Sequence, residues 1–565
     1  MKLTEIMIIG GGPAGLCAAL SAASLGASVL LCERDSIPGG QLVKQTHKFF
    51  GSERQYAGDR GIHIGQMLVE NASSDKNIEI WTDSTVLSIY EDGIVTVEHE
   101  GKHIKVKAER IIIATGAAEK FLAFPGNDLP GIYGAGAVQT LMNVDGIKPA
   151  KNVLMVGAGN IGLIVSYQLE QAGVKVTAVI EGSPKIGGYL VHASKIRRAG
   201  IPILTRHTIL EAYGDGQVEG AKIAQIDENW KPIPGTEQDI ACDTICLAVG
   251  LSPLTELAWQ AGCEMAYIRE LSGHVPLVDE YLQSTCPGIY CAGDVSGIEE
   301  ASAAMVEGRL AGISAAYSLG HGGETAKALQ QDAMAEIDML RAGPMGEHIR
   351  KGVEKMESLL KKRTSDASLL SHKQSKEQTA DNINCSEKEN GLSHYIEELK
   401  SKGIPTKENL AAIYPSEERI QKGTVAIVEC FQEIPCDPCI KACPRGAISM
   451  PNDINDIPLI DAELCNGCTL CISRCPGLAI FAVDKTHSDE MARVLIPYEY
   501  TPVPTAGHMV AGLDRAGEQL GEFEVIKVTS GGKKNMTHTI SLEVPHKLSM
   551  EIRGIKILNQ DQGGN

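Results

Sequence analysis

Over the first 320 residues, apolar strand-like runs alternate with stretches of helical periodicity. Short runs rich in Val, Ile and Leu at 5–9, 28–32, 110–114, 152–156, 175–179 and 244–248 read as buried strands. Such alternation predicts an α/β domain. From 324 to about 362 the pattern turns helical and charged. Residues 363–392 are rich in Ser, Lys, Glu and Asn with almost no large apolar side chains, which predicts a flexible linker or exposed loop. After Met491, β-type runs at 523–528 and 539–544 predict a small β domain, and 559–565 read as a frayed end.

The apolar stretch 6–32 would alarm a hydropathy scan, but Gly10, Gly11, Gly12, Pro13, Gly15 and Gly26 interrupt it. A spanning helix needs about 20 mostly apolar, helix-compatible residues. A signal peptide needs basic residues first, and only Lys2 precedes the run. The expectation is a cytoplasmic chain with no transmembrane segment. Its formal net charge of −19 and 4% aromatic content argue against nucleic acid as a partner. At roughly 150 residues per domain, 565 residues predict about four domains.

Ile6-Met-Ile-Ile-Gly10-Gly-Gly12-Pro13-Ala14-Gly15 is a strand running into G-x-G-x-x-G, followed by a helical stretch and a second strand ending at Glu33. Gly10 permits the tight turn, Gly12 lets backbone approach a pyrophosphate, and Gly15 allows close helix–strand packing. The helix N-terminus supplies free N–H groups, and Glu33 is placed to accept from ribose hydroxyls. The pattern repeats at Gly157-Ala-Gly159-Asn-Ile-Gly162, with a strand ending at Glu181. An acidic residue there would repel a 2′-phosphate, so NAD(H) is favoured over NADP(H). The second site binds NAD, holds another nucleotide structurally, or is empty.

Two further segments, Ile111-Ile-Ile-Ala-Thr115-Gly116 and Gly288-Ile-Tyr-Cys-Ala-Gly293-Asp294, complete a resemblance. The chain resembles the two-dinucleotide-domain flavoproteins that include thioredoxin reductase and glutathione reductase. That resemblance implies FAD at the first site. It gives Asp294 a role at the FAD ribityl–phosphate region, and makes Gly39-Gly40-Gln41 a flavin-contacting turn. In those reductases a glutamate commonly follows the third glycine of the second motif by two residues; here Ile164 stands there. A redox cysteine pair near the flavin is absent from 39–50 and 131–143, which disfavours a disulfide reductase. Cys286 and Cys291 read as small core residues. His47, His63 and His192 read as ordinary surface or core residues, and no residue is assigned a catalytic role.

Of the 16 cysteines, eight fall between Cys430 and Cys475. Cys465-x2-Cys468-x2-Cys471-x3-Cys475-Pro476 has the spacing of bacterial ferredoxins. Cys430-x5-Cys436-x2-Cys439-x3-Cys443-Pro444 is its imperfect twin. In two-cluster ferredoxins the last cysteine of each motif serves the other cluster. Carried over, one 4Fe–4S cluster takes Cys465, Cys468, Cys471 and Cys443, and the other takes Cys436, Cys439, Cys475 and Cys430. Cys430 could instead be a core residue ending a strand at 424–429. Zinc is the competing reading of the module, but it has no need of the trailing x3-C-P.

The segments 128–141 and 297–312 narrow the resemblance to the FAD subunit of the hydrogen cyanide synthase, opine oxidase and dye-linked proline dehydrogenase group. In that group a separate amino-acid-oxidase-like flavoprotein subunit oxidises the substrate. The group's usual iron–sulfur appendage has a different cysteine pattern, so the ferredoxin-like fusion is a departure. The predicted fold is α/β: two Rossmann-like dinucleotide-binding domains, then a ferredoxin-like α+β module and a small β domain. The expected domains are 1–118 plus 250–322 for FAD, 119–249 for the NAD(P)-type nucleotide, 323–422 helical with the linker, 423–487 for the 4Fe–4S clusters and 488–560 for the β domain.

Three functions follow. The leading one is an FAD- and iron–sulfur-dependent oxidoreductase subunit. It would pass electrons from an amino or imino acid, or a related amine, oxidised on a partner flavoprotein, to a ferredoxin or other acceptor. The alternatives are a free-standing NADH-dependent reductase and a non-catalytic assembly subunit.

Overall fold

The computed structural model describes residues 1–369 and 393–558. The chain divides into two units: Met1–Leu42, Gly65–Ala118 and Leu251–His394 form one, and Val43–Ile64, Glu119–Gly250 and Tyr395–Asn565 the other.

In the first unit the strand Lys2–Ile9 lies between two parallel neighbours, Val29–Cys32 and Lys102–Ile113. Ile78–Trp81 extends the parallel set beyond Val29–Cys32, and Ile289–Cys291 joins Lys102–Ile113 from the far end of the sequence. Two antiparallel strands, Ser84–Ile89 and Ile94–His99, complete the seven-stranded sheet. The central strands read as continuous apolar runs because both their faces are buried: Ile6, Met7, Ile8, Leu30, Leu31 and Ile112 are inaccessible to solvent. The helix Pro13–Ser24 packs against the helix Ala301–Ser318 through small residues. A Cβ on Gly308 would lie 2.0 Å from the Ala14 carbonyl oxygen, and one on Gly312 would lie 2.2 Å from that of Ala18. The helix Glu347–Leu369 runs past residue 362, where the sequence pattern predicted it to give way to a linker. The rest of that linker, 370–392, and the frayed end, 559–565, lie outside the described residues.

The second unit repeats the parallel motif. Its five-stranded sheet has the order Ile203–Thr205, Lys175–Glu181, Asn152–Val156, Thr244–Leu247, Ile132–Gly134. A three-stranded antiparallel sheet, His207–Tyr213, Gly220–Gln225 and Gln238–Ala241, is inserted before Thr244. The C-terminal part builds a seven-stranded antiparallel sheet. Val425–Val428 pairs with Ile480–Asp484, which pairs with Met491–Tyr498, and the order continues through His538–Pro545, Gln519–Thr529, Met509–Leu513 and Gly554–Ile557. The sheet passes without a break from the cysteine-bearing segment into the β tail, across 487/488, where the sequence suggested a boundary.

Among the described residues, no helix is long and apolar enough to cross a membrane.

Candidate functional site

At the first glycine motif, Gly10 has φ +105°, and a Cβ there would sit 2.3 Å from the Ala114 carbonyl oxygen. Only glycine tolerates that approach. A Cβ on Gly15 would fall 1.9 Å from the Gly10 oxygen. Gly12 caps the helix and Pro13 occupies its first turn, where its missing N–H costs nothing. No acidic side chain occupies that turn, so its amides remain open to an anion. Glu33 is buried and accepts from the Gly11 amide at 2.7 Å and the Asp35 amide at 2.9 Å. The Gly39 amide donates to the Gly11 carbonyl at 2.8 Å, so the Gly39–Gln41 turn lies on the motif, with Gln41 exposed. Thr115 donates to the Leu254 carbonyl at 2.7 Å, and Gly116 follows with φ +74°.

Gly293 lies against Ala14: its Cβ would come within 2.9 Å of the alanine's methyl. Asp294 is thereby brought to the start of the same helix. Burial, with Glu307, Glu299 and Glu300 nearby, raises its carboxyl pKa to about 7. Its carboxyl accepts a long hydrogen bond, 3.5 Å, from the Glu299 amide. Two residues on, the buried Ser296 hydroxyl has no partner among the described residues. A half-buried carboxylate and an orphan hydroxyl fit a polyhydroxylated ligand such as the ribityl chain of FAD. Glu307 accepts from the Gly293 amide at 2.8 Å, and Arg341 ties Glu299 and Glu307 together at 2.6 Å each. Glu307, Arg341 and Ser296 thus support the turn, although only the Glu307 segment stands out as a motif in the sequence.

The second motif has the same construction. A Cβ on Gly157 would lie 2.3 Å from the Ala248 oxygen, and one on Gly162 would lie 2.0 Å from the Gly157 oxygen. Nothing lies within 4 Å of a Cβ on Gly159. Glu181 accepts from the Ala158 and Ser183 amides at 2.8 Å each. The segment after it copies the segment after Glu33. Glu-x5-Gly-Gly-x-Leu occurs at 33–42 and again at 181–190, and the Gly188 amide donates to the Ala158 carbonyl at 2.9 Å. Ile164 is buried in the helix Asn160–Gln171.

The eight clustered cysteines lie close together in the fold, and the two expected sets are near enough that Cys471 acts on Cys439 and Cys475 on Cys471. Cys443, Cys465, Cys468 and Cys471 line one small pocket. Burial pushes the Cys471 thiol up to about 12, with the Cys465, Cys468 and Cys443 thiols adding to it. Burial likewise pushes Cys436 well up, with Cys439, Cys475 and Cys430 adding. Cys430, raised to about 12, feels Cys475 in turn. Cys430 is near enough to Cys436 and Cys475 for the thiols to act on one another. Thiols kept protonated by burial give up the proton when iron binds. The two sets are related by a pseudo-repeat: the Ala447 amide donates to Cys443 Sγ at 3.2 Å, and the Ala479 amide to Cys475 Sγ at 3.4 Å. Cys443 departs from the trend, because the amides of Arg445, Ala447, Ile448 and Gly446 outweigh its burial and lower it.

The sets differ in depth. Cys468 is exposed, and Leu464 and Leu470 beside it are 46% and 53% exposed. No cysteine of the Cys436 set is exposed: Cys439 is buried, and Cys430, Cys436 and Cys475 are half-buried. Near them Lys48 and Lys195 are pushed down to about 8 by burial, with Glu499 opposing the shift. His47 is pushed to about 3 by burial and His192 well down, so both are neutral core residues.

Residues 4–308 match the pyridine nucleotide-disulphide oxidoreductase family, and residues 434–479 match the 4Fe-4S dicluster domain. A subunit of the opine oxidase from Agrobacterium tumefaciens is 30% identical over 56% of this chain and 66% of its own length. The HcnB subunit of the hydrogen cyanide synthase from Pseudomonas aeruginosa is 28% identical over 54% of this chain and 70% of its own length. The alpha subunit of the sarcosine oxidase from Rhizobium meliloti is 27% identical over 54% of this chain, but over 29% of its own length. The chain thus spans just under two thirds of the first relative and under a third of the last.

Proposed function

Since the chain belongs to the pyridine nucleotide-disulphide oxidoreductase family and carries a 4Fe–4S dicluster domain, we propose that this FAD-dependent oxidoreductase is the electron-transferring subunit of a dehydrogenase or oxidase complex. Its partner is a second flavoprotein that oxidises an amino acid, an imino acid or a related small amine. Bound FAD accepts electrons in pairs and releases them singly, and 4Fe–4S clusters carry them one at a time. The acceptor is a ferredoxin or another one-electron carrier, and the setting is the reducing cytoplasm.

In this reading the amides after Gly12 face the FAD pyrophosphate. Glu33 orients toward the adenosine ribose, and Asp294 accepts from the ribityl region. Cys430, Cys436, Cys439 and Cys475 hold an inner cluster. Cys443, Cys465, Cys468 and Cys471 hold an outer one. The observation that supports the proposal is a close group of eight thiols, with Cys468 at the surface, in a chain that also builds an FAD-type glycine motif. Two stations at different depths suit electron relay. The relatives named as oxidase subunits support a partner.

Isolation of the tagged chain from its native cell tests the partner. A second flavoprotein should co-purify, and the pair should oxidise an amine that neither oxidises alone. A lone chain with full amine-dehydrogenase activity contradicts the reading. One observation favours a second reading, in which NADH reduces the FAD: the Gly157–Gly162 turn and the anchored Glu181 reproduce the first site.

A further inference from the structure

The interior around Cys475 holds more cationic side chains than carboxylates to pair them. Lys48, Arg60 and Lys195 are 3%, 6% and 5% exposed. They share one buried carboxylate, Glu499, which lies 2.8 Å from Arg60 Nη2 and 3.8 Å from Lys48 Nζ. Lys195 rests over the Tyr167 ring at 4.1 Å. Arg198, one turn along the same helix, donates to the Leu478 carbonyl at 2.9 Å and lies over Phe481. The next buried carboxylate, Glu429, is already held by Arg515 and Arg553 at 2.7 and 2.5 Å. A buried cation is costly without negative charge close by, and four cysteine thiolates holding a cluster would supply it.

These cations share a direction. Lys48 donates to the Ser473 carbonyl, two residues before Cys475, and Arg198 to that of Leu478, three residues after it. The helix Leu190–Arg198, which carries Lys195, packs on the same segment: a Cβ on Gly477 would lie 2.7 Å from Val191. A 4Fe–4S cluster on four thiolates carries about two negative charges when oxidised and about three when reduced. Burial alone makes the added electron harder to accept; adjacent fixed cations make it easier.

We propose that Lys48 and Lys195 are the built-in countercharge of the cluster held by Cys430, Cys436, Cys439 and Cys475, and that they selectively raise its reduction potential. The inference rests on the two-cluster reading. The lysines act through space, as tuning residues; Glu499, the carboxylate they share, opposes them.

The test uses the whole chain, purified anaerobically, with iron counted and both cluster signals followed by electron paramagnetic resonance during a potentiometric titration. The outer signal is the one lost in Cys468→Ser. In Lys48→Met and Lys195→Met the reduced-to-oxidised ratio of the inner cluster, at the wild-type midpoint, should fall about tenfold, about 59 mV for one electron. The outer signal should stay put, Lys195→Arg should behave as wild type, and Glu499→Gln should raise the inner potential. An iron-replete methionine variant that titrates as wild type overturns the inference, as does an equal shift of both signals. Should the methionine variants lose iron, Glu499→Gln decides, and an unchanged or lowered inner potential overturns it. A wild-type chain with a single cluster signal would overturn the two-cluster reading instead.

Discussion

Asp294 shows how little a side chain's identity says about its charge. In the sequence it is one aspartate after Ala-Gly; in the fold, burial and three neighbouring glutamates raise it to about 7. A carboxyl raised in the folded state contributes stability that is fully present below its unfolded pKa, near 3.8, and lost as pH rises through about 7. The flavin-free chain should therefore melt at a lower temperature at pH 8 than at pH 6. Asp294→Asn should shrink that difference and weaken FAD binding, as calorimetry and flavin retention would show. An Asp294→Asn chain with the wild-type pH dependence would contradict the assignment. At the other site, Cys430→Ala should lower bound iron from about eight to about four atoms per chain. Iron unchanged in that variant would make Cys430 a core residue.

Residues with a local task show it in the sequence: the glycines of both turns, and Glu33 and Glu181, which accept from the amides of those turns. Lys48, Lys195 and Glu499 do not. They are ordinary charged residues from three distant segments, and only tertiary packing makes them a buried group.

Elements were legible wherever one periodicity held. The runs predicted at 5–9, 152–156 and 244–248 lie in strands of the two parallel sheets because burial on both faces demands unbroken apolar sequence. The long antiparallel sheet of the second unit was not legible as one object. Which edge pairs with which is a non-local choice, and no local pattern marks Ile480–Asp484 as the neighbour of Met491–Tyr498. The echo of Glu-x5-Gly-Gly-x-Leu at 33–42 and 181–190 gains its meaning only from the fold, where it marks the turns that lie on both glycine motifs. Helix contact supplies a sharper prediction. Gly308 lets Ala301–Ser318 touch Pro13–Ser24, and a side chain there would meet the Ala14 backbone. Gly308→Val should force the helices apart, costing stability by about 1–3 kcal/mol, and should release FAD. A variant that keeps its flavin and its melting temperature would show that the contact is dispensable.

For the molecule as a whole, the acidic balance of −19 coexists with a cationic interior at the inner cysteine set. The sequence reports the sum, and the fold decides where each sign is kept. Cys468 reaches the surface beside exposed leucines, while no cysteine of the Cys436 set is exposed. The central claim is that electrons enter from a partner flavoprotein and leave through the clusters. It is tested most directly by mixing the anaerobic chain with NADH, and separately the co-purified complex with its amine, while flavin absorbance and cluster signals are recorded together. The account predicts that the amine bleaches the flavin and reduces both clusters in the complex, while NADH leaves the isolated chain oxidised. Rapid bleaching of the isolated chain by NADH, with the clusters reduced in the same time, would contradict it.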